Sequence, residues 1–203
     1  ALGIQTGSGN DGIVIGKQGS LQVNALGQTA TILTGLSAVG IDAGAGHNRL
    51  VLFGSAAVTA SHGDAVGLMA AGDVSALGIQ AAAGNDSIAI ANTGRLTVDA
   101  LATGGVLFGG SGETSAAGID AGHGDNGILS DGTIGVRSIA FSGSLGGAEA
   151  TASGIRTGDG SDRIENRGTL SVFTEATTAL GSSDATATGI DAGHGTNIIR
   201  NDG

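Results

Sequence analysis

Over most of the chain, apolar and polar residues alternate with a period of two, in short runs closed by glycine, asparagine or aspartate. One stretch shows the whole pattern. It runs Gly154-Ile155-Arg156-Thr157, a turn at Gly158-Asp159-Gly160-Ser161, then Asp162-Arg163-Ile164-Glu165-Asn166, a turn at Arg167-Gly168, and Thr169-Leu170-Ser171-Val172-Phe173-Thr174. Alternation predicts strands with one buried face, and the Gly/Asn/Asp clusters predict the turns between them. No segment holds a 3.6-residue period long enough to predict a helix. The chain is expected to be nearly all strand and turn.

The pattern repeats. Gly118-Ile119-Asp120-Ala121-Gly122-His123-Gly124-Asp125-Asn126, followed by Gly127-Ile128, recurs six times, opened by Ile4, Ile41, Ile79, Ile119, Ile155 and Ile190 at spacings of 37, 38, 40, 36 and 35 residues. Seven places after each isoleucine stands an Asp or Asn, and two places further another aliphatic: Ile13, Leu50, Ile88, Ile128, Ile164 and Ile199. A fixed period with small, turn and aliphatic slots is the signature of stacked repeats. The predicted fold is an all-β, parallel β-solenoid (a β-helix or β-roll) over residues 1–203, one continuous array with repeats starting near 3, 40, 78, 118, 154 and 189.

Two further aliphatic sets, Leu21, Val58, Leu96, Val136 and Val172, then Ile32, Leu68, Leu107, Leu145 and Leu180, suggest two rungs of about 18 residues per repeat. Eleven such rungs would make a rod about 50 Å long. A single wide coil per repeat is disfavoured because Ala and Gly would not fill it.

Two polar slots alternate from copy to copy. After the opening isoleucine come Gln5, Asp42, Gln80, Asp120, Arg156 and Asp191; seven places after it come Asp11, Asn48, Asp86, Asn126, Asp162 and Asn197. Each copy carries one carboxylate across the two slots. Stacked like charges about 5–10 Å apart repel by up to about 1 kcal/mol in water, so alternation halves the charge of a column while keeping its hydrogen-bonding shape. It also predicts a two-copy structural unit.

Composition supports a thin core. The 203 residues include 41 Gly and four Phe, with no Pro, Cys, Trp or Tyr. Scarce aromatics and an apolar fraction built on Ala, Ile, Leu and Val suit a one-dimensional core in which each rung packs on its neighbours. A mean hydropathy of +0.25 argues against a disordered Gly-rich linker. The net charge of −10 makes nucleic acid and anionic membranes poor partners. No run is apolar for long enough to span a bilayer. Absent cysteine is compatible with any compartment.

The Gly-rich turn is the candidate site. Thr6-Gly7-Ser8-Gly9-Asn10-Asp11-Gly12-Ile13-Val14 resembles the calcium-binding nonapeptide of RTX proteins, Gly-Gly-x-Gly-x-Asp-x-aliphatic-x. Thr157 to Glu165 is similar, and Ala81 to Ile88 is a degenerate copy. The resemblance implies calcium as a possible cofactor, with Asp11, Asp86 and Asp162 as its ligands. The pattern departs from the family in that its first glycine is Thr or Ala in every copy, and the motif recurs once per repeat rather than in tandem. The alternative is structural, with Asp and Asn capping backbone amides in a polar ladder and no cofactor required. His47, His62, His123 and His194 read as solvated turn residues, and the single-copy carboxylates, Asp159 with Asp162 and Glu165 alone, as members of a solvated face. No Ser-His-Asp or paired-carboxylate constellation stands out, so no catalytic residue is assigned. A carbohydrate-active β-helix enzyme is a remote alternative, since sugar-stacking Trp and Tyr are missing.

As a whole the repeat grammar, Gly-Ile-Asp-Ala-Gly-x-Gly-x-Asn followed by Asn-x-Gly-x-Leu-x-Val, resembles the β-solenoid stalks of bacterial surface proteins such as autotransporter-like and RTX-like adhesins. What the resemblance implies is an extracellular or cell-surface location and a structural, non-enzymatic role as fibre, stalk or filament, with a calcium-binding adhesin module as the alternative. The expected partners are further solenoid end to end along the axis, whether self-associated copies or the same chain continued, and a cell-surface or matrix ligand. The chain opens inside one repeat and closes inside another, which leads to the expectation that it is part of a longer chain or filament.

Overall fold

A computed structural model of the chain describes residues 1–27, 35–62, 72–103, 112–143 and 146–203. Three parallel sheets run its length. The first holds Leu2–Gln5, Leu36–Asp42, Val74–Gln80, Gly112–Asp120, Ala148–Arg156 and Ser183–Asp191. The second holds Gly12–Ile15, Arg49–Leu52, Ser87–Ile90, Gly127–Ser130, Arg163–Asn166 and Ile198–Asn201. Ser20–Gly27, Ser55–His62, Arg95–Thr103, Thr133–Ser142 and Thr169–Thr178 form the third. The protein is a parallel β-solenoid, with no helix among the described residues.

Each repeat makes one coil that visits the three sheets in turn. Ile4, Ile41, Ile79, Ile119, Ile155 and Ile190 pair directly from coil to coil. So do Ile13, Leu50, Ile88, Ile128, Ile164 and Ile199 in the second sheet. The expected pair of short rungs per repeat is therefore wrong, and the six strands of the first sheet span roughly 25 Å rather than 50 Å. Val23, Val58, Val98, Val136 and Val172 form one inward column of the third sheet. Leu21 and Leu96 stand in the inward column next to it, beside Ala56 and Ile134. All belong to the same coils as the opening isoleucines, with no intervening rung. Ile32, Leu68, Leu107 and Leu145 lie outside the described residues, and Leu180 is exposed rather than inward.

The physical reason for the wide coil lies in the glycine before each opening isoleucine. Along the first sheet the in–out alternation breaks there: Gly40 and Ile41, Gly78 and Ile79, and Gly118 and Ile119 are buried as consecutive pairs. A Cβ on Gly40 would come within 2.6 Å of Val58 Cγ2, and one on Gly78 within 2.8 Å of Val98 Cγ2. The first and third sheets thus close on each other, glycine and alanine against valine and leucine. The coil is flattened, and small residues fill it because there is little depth to fill. The isoleucine one place on turns toward the second sheet's aliphatic column, and the two columns join one continuous core. Full burial of one such isoleucine contributes roughly 1.5–3 kcal/mol.

Candidate functional site

The Gly-rich turns join the first sheet to the second, and their two polar slots stack in register. Two backbone conformations alternate along the stack. In coils two, four and six the third residue after the isoleucine is a left-handed glycine: Gly44 at φ +68°, Gly122 at +66° and Gly193 at +62°. In the other coils that place is held by Gly7 at φ +96°, by Ala82 and by Gly158, the last two outside the left-handed region. From the second coil to the sixth, the expected two-copy unit is thus built into the backbone.

This alternation explains why the two slots change together. Asp42, Asp120 and Asp191 each use Oδ1 to accept the N–H of the left-handed glycine two residues on, at 3.1, 3.2 and 3.1 Å. Such an Asx turn pins the glycine, whose carbonyl then receives the amide of the asparagine seven places after the isoleucine. Asn48 Nδ2 donates to Gly44 O and Gly46 O, and Asn126 Nδ2 to Gly122 O and Gly124 O. Where Gln5, Gln80 or Arg156 replaces the capping aspartate, the turn relaxes and aspartate replaces asparagine. Between coils, Gln5 Nε2 donates to Asp42 Oδ2 and the Arg156 guanidinium pairs with Asp120.

The aspartates at Asp11, Asp86 and Asp162 alternate with Asn48, Asn126 and Asn197 in a ladder that crosses every coil boundary. The N–H of each member donates to the side-chain Oδ1 of the next: Asp11 to Asn48, Asn48 to Asp86, Asp86 to Asn126, Asn126 to Asp162 and Asp162 to Asn197, at 2.7–3.1 Å. One residue earlier a second ladder runs the opposite way. The N–H of His47 donates to Asn10 Oδ1, Asn85 N–H to His47 Nδ1, Asp125 N–H to Asn85 Oδ1, and Ser161 N–H to Asp125 Oδ1. The sequence reading missed this column because it mixes residue types. Their shared feature is a side-chain acceptor two bonds beyond Cβ.

A calcium ion wants six to eight oxygens, several of them charged. In the turns, Oδ1 of Asp86 and of Asp162 is committed to an N–H, and one oxygen, Oδ2, is left over. Oδ2 of Asp11, Asp86 and Asp162 is buried without a hydrogen-bond partner. The column places these aspartates two coils apart, about 10 Å, with an asparagine amide already bound to turn carbonyls between them. Among the described residues no three His, Asp or Glu side chains gather where they could hold a metal. The donor set does not fit calcium.

His47 and His123 are exposed turn residues as expected, their Nδ1 atoms accepting the Asn85 N–H at 2.9 Å and the Asp159 N–H at 3.1 Å. Three other expectations change. Asp162, read as part of a solvated face, is 1% exposed. His62 is no turn residue; it lies on a strand of the third sheet, 3% exposed, its column running from Gly27 to Ala102. Glu165 is not on a solvated face, for Arg167 clasps it through Nε and Nη2 at 3.0 and 2.7 Å, with Arg163 at 3.5 Å and Arg200 at 3.9 Å. The Arg167 hydrogen bond, followed by the charges of Arg167, Arg163 and Arg200, holds the Glu165 carboxyl below the usual range despite its burial.

Replacing Asn126 with Asp tests the ladder. The variant loses the two amide bonds to Gly122 O and Gly124 O and puts carboxyl groups on three consecutive coils about 4.8 Å apart, with the new one next to Asp162. We expect a loss of about 2–3 kcal/mol in urea unfolding at neutral pH. Asp125→Asn, which keeps the Oδ1 acceptor, is expected to change stability by no more than about 0.5 kcal/mol. Equal losses for both would mean that charge order along the column is irrelevant.

Comparison with known proteins finds no matching family model, no similar curated sequence and no similar solved structure.

Proposed function

We propose that this chain is a structural, non-enzymatic solenoid segment of an extracellular or cell-surface fibre, stalk or filament. The observation that carries this reading is the in-register stacking of the same slot on itself in all three sheets and both turn ladders. Every coil boundary is crossed by backbone hydrogen bonds, an aliphatic column and side-chain-to-amide bonds in parallel. Load along the axis is shared over all of them, and no boundary depends on one contact. Further solenoid stacked along the axis is the natural partner of such a geometry, and the resemblance to adhesin stalks supplies the location. The turns hold themselves together with protein donors and acceptors, which favours a self-supporting rod over a calcium-loaded adhesin module.

Electron microscopy of the native material with and without EGTA tests the proposal, together with antibody labelling of intact cells. Rods or filaments that persist in EGTA and label from outside are the expected result. Rods that fall apart on chelation would establish the calcium-dependent adhesin instead, and absence of label on intact cells would remove the surface role.

A further inference from the structure

We propose that Asp86 is a neutral carboxylic acid in the folded solenoid, its Oδ2–H filling the place that the side-chain amide fills in Asn48 and Asn126 on the adjoining coils. Asp86 is 2% exposed. Its Oδ1 accepts the Asn48 N–H at 2.7 Å, its own N–H donates to Asn126 Oδ1 at 3.0 Å, and Oδ2 is buried with no partner. In the neighbouring coils the equivalent atom is Nδ2, a donor held between two turn carbonyls at 2.9–3.3 Å. An ionised aspartate puts a second acceptor where its neighbours put a donor. A protonated one puts a donor there, as the asparagines do.

The charged and titratable groups around it do not supply a counter-charge by contact. From the second coil come Asp42, His47 and Arg49: Asp42 accepts the Gly44 N–H and a Gln5 Nε2 hydrogen, His47 Nδ1 accepts the Asn85 N–H, and the exposed Arg49 stands in backbone register with Ser87. From the fourth coil come Asp120, Asp125 and His123, engaged respectively with Gly122 N–H and Arg156, with Ser161 N–H, and with Asp159 N–H. Burial pushes the Asp86 carboxyl up, outweighing the Asn48 hydrogen bonds and the His47 charge that pull it down. A carboxyl whose folded pKa is raised stabilises the fold fully below its unfolded pKa, and that contribution is lost as pH rises through the folded value. Asp86 thus makes the middle of the solenoid more secure in acid than in alkali.

Infrared spectra of the full chain at about pH 5.5, where ordinary aspartates are ionised, test this against Asp86→Asn. The wild type is expected to show the carbonyl stretch of a neutral carboxylic acid, and the variant to lose it. Between about pH 5 and about pH 8 the wild-type melting temperature should fall by about 2–4 °C relative to Asp86→Asn. Carbon NMR titration of the wild-type carboxyls gives the same answer without any variant. Three results would overturn the proposal: no acid carbonyl lost in the variant, an Asp86 carboxyl resonance that titrates in the ordinary aspartate range, or millimolar calcium raising the wild-type melting temperature at about pH 8 but not that of Asp86→Asn.

Discussion

Ile119→Asp is expected to abolish cooperative folding of the middle of the array. Ile119 is fully buried, with Ile79 on one side and Ile155 on the other in the central column of the first sheet. Truncating such a side chain costs about 2–5 kcal/mol through lost transfer energy and the cavity left behind. A carboxylate adds an unpaired buried charge, worth several kcal/mol more, in a core cluster built of Ile, Leu, Val and Ala side chains. Because each coil packs only on its neighbours, the damage should spread from the fourth coil to the third and fifth before the ends follow. Circular dichroism melting should show an early, broadened transition, and amide hydrogen exchange should place it in those three coils. Val14→Asp, at a position 63% exposed on the outer face of the second sheet, should melt within about 0.5 kcal/mol of the wild type. Melting of Ile119→Asp like the wild type would disprove the inward assignment of the isoleucine column.

The second large effect is steric. A Cβ on Gly122 would lie 1.7 Å from the backbone oxygen of Ala82 and 2.6 Å from that of Ala81, and its φ of +66° already disfavours any side chain. Left-handed backbone costs a non-glycine residue roughly 1–2 kcal/mol. The clash is with the main chain of the coil below, so relief requires the two turns to separate and the ladder through Asn126 to lengthen. We expect Gly122→Ala to lose more than about 3 kcal/mol in urea unfolding. Gly127→Ala, where a Cβ would meet nothing within 4 Å, should stay within about 1 kcal/mol of the wild type. Similar stabilities for the two variants would mean that the turns do not pack at the spacing seen here.

The two buried carboxylates that differ most in environment carry opposite pH signatures. Glu165, held low by Arg167 and its neighbours, stabilises the fold above its unfolded pKa and loses that contribution as pH falls through its folded value. Asp86, held high by burial, does the reverse. Glu165→Gln should therefore flatten the acid side of the stability profile and leave the alkaline side, where Asp86 acts, unchanged. An unaltered acid limb in Glu165→Gln would show that the arginine cluster does not favour the ionised form.

Much of this was legible from residue order alone. The isoleucine column, the second aliphatic column and the Asp/Asn alternation each recur at fixed offsets, and stacking turns a fixed offset into a physical column. The periodicity could not say how many times the chain crosses the core within one repeat. A 37-residue period fits one wide coil or two narrow ones, and only the direct pairing of each opening isoleucine with the next settles it. His62 and Glu165 were misread for a related reason: each is polar in a polar-looking stretch, and its burial depends on which strand it joins and which arginines reach it.

Residue order thus determined the solenoid class, the columns and the charge alternation, because these follow from translation of one unit along an axis. Tertiary structure decided the coil size, the alternating turn conformation and the unpartnered buried oxygens of Asp11, Asp86 and Asp162. Those depend on how closely two sheets approach and on what each turn's donors find within hydrogen-bond reach, distances that no linear pattern encodes.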